Sequence, residues 1–296
     1  MQHNSGIEFA RRDSGPLLLD LYLSPGGPAP AVIWLHGGGW FTGDRTLAPD
    51  LSRYFAERGI TMVSVEYRLS GDALFPAQLH DVRAAIRYVR THAAEWNVDP
   101  DLIGLWGSSA GGHLAALAGL TGHLDRLDGE AECGDASVSA VAESYGPTDL
   151  DDCPSQLPNG APSPESRLLG GRAGELARAA SPVHQVTRHA PPFQISHGTA
   201  DTVVPHGHSQ RLHAALVAAG VDSELYLVDG YRHGFLNPPG RLEADLTAFF
   251  DDGRLASEGQ AAAQCFTTDL TGRPTTFGFD DIGDFFVQHL SKGNTP

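Results

Sequence analysis

Short apolar runs alternate along the chain with longer stretches in which apolar residues recur at helical spacing. The short runs have the length of buried strands and lie at Ala31–Leu35, Ile60–Glu66, Leu102–Trp106, Val138–Ser144, Phe193–His197 and Ser223–Val228. Helical spacing predicts helices over Gln78–Ala94, His113–Leu120, Gln210–Ala219, Arg241–Phe250 and Asp280–Leu290. Strands that alternate with crossover helices favour a mostly parallel sheet with helices on both faces. The pattern therefore predicts one α/β domain over residues 1–296.

Other stretches do not follow this rhythm. Gly6–Ala10 and Leu17–Leu23 are separated by turn residues and predict a hairpin at one edge of the sheet. Residues 149–180 are rich in Pro, Gly, Ser and Asp, and we interpret them as a cap insertion. Residues 251–276 are polar and contain glycine, which predicts an irregular insertion. Within and just beyond that insertion, FTTDLTGRPTTFGF could form a hairpin that covers a pocket or pairs with a second subunit, and the sequence leaves both open.

Composition narrows the class of protein. With 41% hydrophobic and 19% charged residues, the 296-residue chain is typical of a globular protein. Its formal charge of −16 disfavours nucleic acid and anionic membranes as partners. No apolar run approaches the length of a membrane span, and the first residues lack the apolar stretch of a signal peptide. The few, widely spaced cysteines (Cys133, Cys153 and Cys265) indicate a reducing, cytoplasmic location.

The strongest chemical signal is a G-x-S-x-G pattern centred on Ser109. Gly107 to Gly112 (GSSAGG) come directly after a predicted strand and directly before a predicted helix. A nucleophile elbow needs this strand–turn–helix setting, because the sharp turn exposes the serine hydroxyl beside a helix N-terminus. The setting predicts that Ser109 is a nucleophile, and the alternative is an ordinary glycine-rich turn.

A second glycine-rich motif, HGGGW, follows the predicted strand Ala31–Leu35. Three consecutive glycines leave backbone N–H groups unobstructed, and acyl transfer requires such donors to hold an oxyanion. Two donors from Gly37–Gly39, together with the N–H of Ala110, would complete the hole. A flexible loop or a phosphate cradle is the alternative, but a phosphate loop would carry a Lys-Ser/Thr or a further glycine at fixed spacing.

A serine nucleophile needs a base and a carboxylate, which follow it in the order Ser, Asp, His in α/β-hydrolases. Asp201 lies at the end of FQISHGTAD, and His233 lies in DGYRHGF after the last predicted strand. Both positions are at carboxyl ends of strands, where doubly wound sheets carry functional groups. Asp72 and Asp81 precede Ser109 and have the wrong order, whereas Asp229 is the reserve acid.

Taken together, these segments resemble the α/β-hydrolase superfamily. They are most similar to its HGGGW-bearing esterases, the BD-FAE group, which is close to hormone-sensitive-lipase-like esterases and kynurenine formamidases. The likeness rests on HGGGWFTGD, VEYRLS, FPAQLHDVRAAIRYV, DPDLIGLWGSSAGGHLAAL, PPFQISHGTADTVVP, DGYRHGF and DDIGDFFVQHL. It is weak across 149–180 and absent across 251–276. The resemblance implies nucleophile Ser109, acid Asp201 and base His233, with oxyanion donors on Gly37, Gly38 and Ala110.

Aromatic and histidine side chains near these motifs have less specific meanings. Trp40, Phe41, Tyr145 and Phe235 either line an acyl pocket, with roles in substrate binding, or belong to the core. His197 is expected to fix the loop of Asp201, and His36 to shape the glycine turn. Asp44 either pins the oxyanion loop or forms a plain turn. His206, His208 and His213 fit no metal-ligand pattern, so we expect no metal site.

The function that follows is a serine carboxylester hydrolase for small acyl esters, of acetyl or aryl type, acting through an acyl-enzyme without a cofactor. Two alternatives remain open: an amidase of the kynurenine-formamidase type, and a non-catalytic protein that uses the fold to bind a ligand. A peptidase would need a large additional domain, for which the chain has no room. Carbohydrate acetyl or feruloyl esters are implied by the resemblance alone. The expected partner is a small-molecule ester, with a homodimer as a further possibility.

Overall fold

A computed structural model describes residues 2–240 and 248–291 and contains one large sheet. Its strands are β1 (Gln2–Arg12), β2 (Gly15–Leu23), β3 (Ala29–Leu35), β4 (Thr61–Val65), β5 (Val98–Ser108), β6 (Ala140–Ser144), β7 (Phe193–Gly198), β8 (Ser223–Val228), β9 (Gln260–Phe266) and β10 (Arg273–Gly278). They lie in the order β1-β2-β4-β3-β5-β6-β7-β8-β9-β10. The central strands from β4 to β8 are parallel, and antiparallel pairs complete both edges.

Helices cover both faces of this sheet. They are α1 (Leu51–Tyr54), α2 (Ala77–Thr91), α3 (Ala110–Thr121), α4 (Pro164–Leu168), α5 (Glu175–Ala179), α6 (Gly207–Ala218), α7 (Arg254–Glu258) and α8 (Phe279–His289). Because successive side chains of a strand point to opposite faces, each central strand contributes to two cores. In β3, Ile33 and Leu35 pack in the core with α2, α3 and α6, whereas Val32 and Trp34 pack in the core with α1 and α8.

The predicted α/β class and mostly parallel central sheet are confirmed. Every predicted strand is present, and β5 starts four residues earlier than its apolar run because Val98 pairs with Ala29. The predicted helix over Arg241–Phe250 falls mainly on residues 241–247, which lie outside the described residues. None of the helices that are described has the length and apolarity required to cross a membrane.

The expectation of an irregular insertion over 251–276 is wrong. This segment contains α7, β9 and the first part of β10, and β9 pairs antiparallel with β8 so that the sheet gains two strands. The hairpin suggested by its sequence is therefore formed, and it extends the sheet edge. The strand signal of β9 is weak because the side chains that face the core are the small residues Ala261 and Ala263.

The 149–180 segment packs on the main domain beside the glycine loop. Leu150, Leu168 and Ala177 are buried in the same core as α3. Pro164, at the start of α4, lies so close to Gly39 that a Cβ atom on the glycine would be 3.3 Å from the proline Cβ. The segment thus contacts the glycine loop, and its interpretation as a cap stays a prediction.

Candidate active site

The turn that carries Ser109 has the strained geometry of a nucleophile elbow. Ser109 has φ 54° and ψ −120°, a conformation that L-residues rarely adopt. The turn closes only because two glycines flank it. A Cβ atom on Gly107 would lie 2.3 Å from the Gly111 carbonyl oxygen, and one on Gly111 would lie 2.0 Å from the Leu35 carbonyl oxygen. The Ser109 N–H donates to the Ser144 carbonyl oxygen of β6 at 2.8 Å, which fixes the turn to the sheet.

Three side chains from separate loops meet at the carboxyl ends of β5, β7 and β8. His233 Nε2 is 2.8 Å from Ser109 Oγ, and His233 Nδ1 is 2.6 Å from Asp201 Oδ2. His233 and Asp201 are buried. With the Asp201 carboxylate on Nδ1, the imidazole carries its proton there and leaves Nε2 free to accept the proton of the serine. The structure thus brings together the three residues that the sequence order singled out.

Asp201 is held as a carboxylate by donors on two sides. Its Oδ1 accepts the N–H groups of Val203 and Val204, each at 2.9 Å. Its Oδ2 faces His197 Nε2 at 3.2 Å as well as His233. Burial alone would raise the pKa of Asp201, but the charge of His233 and the hydrogen bonds from both histidines outweigh it and lower the pKa well below its usual range. His197 also reaches the Val204 carbonyl oxygen at 2.8 Å, so it fixes this loop as expected.

The loop of His233 is held by a segment that the sequence did not connect with the site. Asp251 accepts the Arg232 N–H at 2.7 Å through Oδ2, and its own N–H donates to the His233 carbonyl oxygen at 2.8 Å. The Phe250 ring packs edge-on against the imidazole, with the ring centroids 5.4 Å apart. Asp251 also pairs with Arg232 and Arg254. The sequence signal was weak because these contacts depend on how the chain returns to the sheet after residue 247.

The HGGGW loop lies directly against the nucleophile. A Cβ atom on Gly37 would be 3.3 Å from both Ser109 Cβ and the Ser108 carbonyl oxygen. Gly38 has φ +113°, and a Cβ atom there would lie 2.2 Å from the Thr42 carbonyl oxygen, so only glycine fits. The His36 ring stacks on Tyr67 at 4.4 Å, and Tyr67 Oη donates to the His36 carbonyl oxygen at 2.8 Å.

Asp44, for which two roles remained open, accepts the backbone and side-chain donors of Thr46 at 2.7 and 2.6 Å. These bonds form a turn that follows the glycine loop.

The four aromatic residues predicted near the site differ in their exposure to solvent. Tyr145, Phe235 and Trp40 are at most 1% exposed, so the expectation that they line a pocket is not met in this structure. Tyr145 packs edge-on against His233, with centroids 4.9 Å apart, and Phe235 packs on Tyr145 at 4.6 Å. They support the imidazole from beneath. Phe41 is 43% exposed, and the guanidinium of Arg167 from α4 lies 5.0 Å from its ring centroid.

The remaining candidates lie outside the hydrogen bonds that join Ser109, His233 and Asp201. His208 Nδ1 accepts the Thr148 N–H at 3.3 Å, and His213 Nδ1 is 2.9 Å from Ser223 Oγ. His206 precedes α6. The reserve acid Asp229 is exposed, and its N–H pairs with the Ala262 carbonyl oxygen. Asp81 is buried against Arg12 and Arg68.

Several known proteins with similar sequences are named esterases. Esterase LipQ of Mycobacterium tuberculosis is 37% identical over 217 residues, a match that covers 71% of this chain and 52% of LipQ. Esterase LipC of the same organism is 35% identical over 75% of this chain and 58% of its own. The chain thus matches only a little over half the length of these curated relatives.

Several solved structures that are similar to this chain are also named esterases. A truncated carbohydrate esterase from gut microbiota superposes with a TM-score of 0.74 at 28% identity, covering 99% of this chain and 97% of its own. Esterase 2 of Thermogutta terrifontis, phosphonylated by sarin, gives a TM-score of 0.68 at 29% identity, covering 86% and 93%. The fold is therefore that of the α/β-hydrolases. Since the BD-FAE profile also matches residues 19–216, which is well over half of the sequence, this chain belongs to the BD-FAE family.

Proposed function

We propose that this protein is a serine carboxylester hydrolase that cleaves small acyl esters through an acyl-enzyme. The observation that carries the proposal is the hydrogen-bonded line from Ser109 Oγ through His233 to Asp201, with distances of 2.8 and 2.6 Å. The strained turn at Ser109 and its place beside the glycine loop support the same role.

The arrangement accounts for each step of ester hydrolysis. His233 Nε2 takes the proton of Ser109 as Oγ attacks the acyl carbonyl, and the Asp201 carboxylate stabilises the imidazolium that forms. The N–H groups of Gly37, Gly38 and Ala110 hold the negative oxygen of the tetrahedral intermediate. His233 then returns the proton to the departing alcohol. A water activated by His233 attacks the acyl-enzyme and releases the acid.

Exposed apolar side chains on segments that border the triad suggest where the organic part of the substrate binds. Phe41, Val203 and Phe249 are 43%, 46% and 48% exposed. Phe41 follows the glycine loop, Val203 donates its N–H to Asp201, and Phe249 precedes the residue that packs on His233. Loops placed by a rigid scaffold commonly carry binding residues, so these side chains are positioned to contact a small organic group. We therefore propose acetyl or aryl esters as substrates.

A substrate panel tests the proposed reaction class. We expect the protein to hydrolyse p-nitrophenyl acetate and acetylated sugars and to leave N-formylkynurenine largely intact. The panel measures kcat/KM for acyl chains of increasing length and for both ester and amide bonds. Turnover of the formamide at a higher kcat/KM than every ester would replace the esterase proposal by the amidase alternative.

The exposed ring of Phe41 gives a prediction on substrate affinity. Replacing Phe41 by alanine is expected to raise KM for p-nitrophenyl butyrate about tenfold with little change in kcat, because a partly buried ring contact contributes on the order of 1.5 kcal/mol. Leu270→Ala is the matched control, since Leu270 is 50% exposed at the tip of the β9–β10 hairpin. Equal KM values for both variants and the wild type would exclude Phe41 from substrate binding.

Two further expectations stay predictions. They are the cytoplasmic location, drawn from the few cysteines, and the pairing of two copies, drawn from the hairpin now formed by β9 and β10. Size-exclusion chromatography with light scattering would test the second.

A further inference from the structure

The end of strand β6 carries a buried carboxyl group that the reaction above does not use. Glu143 is fully buried, one residue before the Ser144 carbonyl that anchors the Ser109 N–H, and two before the Tyr145 ring under His233. A carboxyl group with no access to water is costly unless it is neutral or well bonded. Glu143 is therefore expected to be neutral or to be held by good hydrogen bonds.

One oxygen of Glu143 supports the nucleophile. Glu143 Oε1 accepts the N–H of Gly146 in a short hydrogen bond. Gly146 fills the narrow space between Glu143 and the nucleophile turn: a Cβ atom there would lie 2.6 Å from Glu143 Oε1 and 2.9 Å from the Ser109 carbonyl oxygen. Gly146 thus lies between the Glu143 carboxyl and the backbone of Ser109.

The other oxygen leads to the acid of the triad through two buried side chains. Glu143 Oε2 is 3.4 Å from Ser209 Oγ, and Ser209 Oγ is 2.7 Å from His197 Nδ1. On its far side, His197 Nε2 faces the Val204 carbonyl oxygen at 2.8 Å and Asp201 Oδ2 at 3.2 Å. Ser209 and His197 are both fully buried. Side-chain contacts thus join Glu143 to Asp201 through Ser209 and His197.

Counting protons fixes the direction of these hydrogen bonds. His197 Nε2 faces two acceptors, so it must carry a proton. With no proton on Nδ1, His197 accepts the Ser209 hydroxyl proton there, and Ser209 Oγ can then accept a proton only from a neutral Glu143 carboxyl, 3.4 Å away. If Glu143 ionises, the Ser209 proton turns towards it, and His197 Nδ1 loses the hydrogen bond that helps to orient the ring against Asp201.

We propose that Glu143, as a neutral carboxylic acid, is a positioning residue for the triad: it holds the Ser109 turn through Gly146 and fixes the hydrogen bonds that reach Asp201 through Ser209 and His197. The inference rests on the proposed serine-hydrolase function. If Glu143 has this role, its ionisation contributes to the upper pH limit of activity.

The titratable groups around Glu143 allow its ionisation to be detected in the pH dependence of activity. Burial raises the pKa of Glu143 to about 8, so ionisation falls within reach of an activity assay. Two histidines lie near the Gly146 turn: the His113 backbone nitrogen on α3 would be 2.7 Å from a Cβ atom on Gly146, and His208 on α6 accepts the Thr148 N–H. Burial lowers the pKa of each to about 4, so both stay neutral across that range. Among the described residues, this region also contains His197, linked to Glu143 through Ser209, and Tyr145, with Asp201 and His233 beyond them.

The test compares two substitutions of one carboxyl group. Glu143→Ala removes both hydrogen bonds, and we expect kcat for p-nitrophenyl acetate at neutral pH to fall about tenfold or more while KM changes little, because positioning acts on the transition state. Glu143→Gln keeps an acceptor for Gly146 and a donor for Ser209, and we expect it to restore most of the lost kcat. As pH rises, the wild type should lose activity with an apparent pKa near 8. Glu143→Gln cannot ionise, so its activity should persist to a pH at least about one unit higher.

A control variant and a second readout keep the outcome clear. Burial also raises the pKa of Glu224 on β8, but this carboxyl accepts a hydrogen bond from Gln194 and is not part of the network that reaches Asp201. Glu224→Gln should therefore lose activity at the same alkaline pH as the wild type. The rate of Ser109 labelling by a fluorophosphonate should follow the same pH profiles as hydrolysis. Identical alkaline limbs for wild type and Glu143→Gln would overturn the proposal, even if Glu143→Ala failed to fold. Hydrolysis that survives Ser109→Ala would instead refute the proposed function.

Discussion

Replacing Ser109 by alanine is expected to abolish ester hydrolysis. Removing the nucleophile of such a triad lowers turnover by about 10⁶, which corresponds to roughly 8 kcal/mol of transition-state stabilisation. The loss is large because His233 has no other hydroxyl to activate among the described residues. Ser109 Oγ is the hydroxyl bonded to His233 Nε2, at 2.8 Å. Initial rates with p-nitrophenyl acetate measure the effect.

The neighbouring serine provides a matched control for this substitution. Ser108 is the last residue of β5, and its side chain is fully buried in the sheet. Ser108→Ala removes the same atom one position away, and we expect activity within about threefold of the wild type. Retention of more than about one per cent of activity in Ser109→Ala would remove Ser109 from its role.

The second large effect is expected for Asp201→Asn, which should lower kcat by about 10⁴. Two N–H groups, from Val203 and Val204, point at Asp201 Oδ1 and would hold the amide oxygen of asparagine at that place. The amide NH₂ would then face His233 Nδ1, and the imidazole would have to carry its proton on Nε2. In that tautomer His233 cannot accept the proton of Ser109. The variant should nevertheless fold, because asparagine has nearly the same shape.

Asp229→Asn is the control for the acid, since Asp229 is nearer to His233 in sequence but exposed in the structure. Its kcat should match the wild type. Circular dichroism on all variants separates loss of activity from loss of fold. If Asp229→Asn were inactive and Asp201→Asn active, the assignment of the acid would be reversed.

Much of this arrangement could be predicted from the sequence because its determinants are local. The strands of the parallel sheet are continuous apolar runs, and each functional residue follows the carboxyl end of one of them. The glycines at 107 and 111 are required by backbone approaches within the motif itself. The order of these residues along the chain and their positions after successive strands were therefore enough to select Asp201 and His233 from many alternatives.

The features that sequence reasoning missed all depend on contacts between distant segments. Tyr145 and Phe235 were candidates for the pocket, but their burial beneath His233 follows from how β6 and the histidine loop pack. Asp251 supports His233 from a segment that was expected to be irregular. Glu143 is an acidic residue inside a short strand, and nothing local shows that Ser209 on α6 will reach it.

The account depends most directly on Ser109 being the activated nucleophile of this site, and covalent labelling tests that claim without a known substrate. An esterase of similar structure is phosphonylated by sarin, so a fluorophosphonate is a suitable probe. We expect intact-mass spectrometry to show one adduct, peptide mapping to place it on Ser109, and Asp201→Asn to slow its formation. An adduct on another residue, or ester hydrolysis by a protein that takes up no label, would contradict the account.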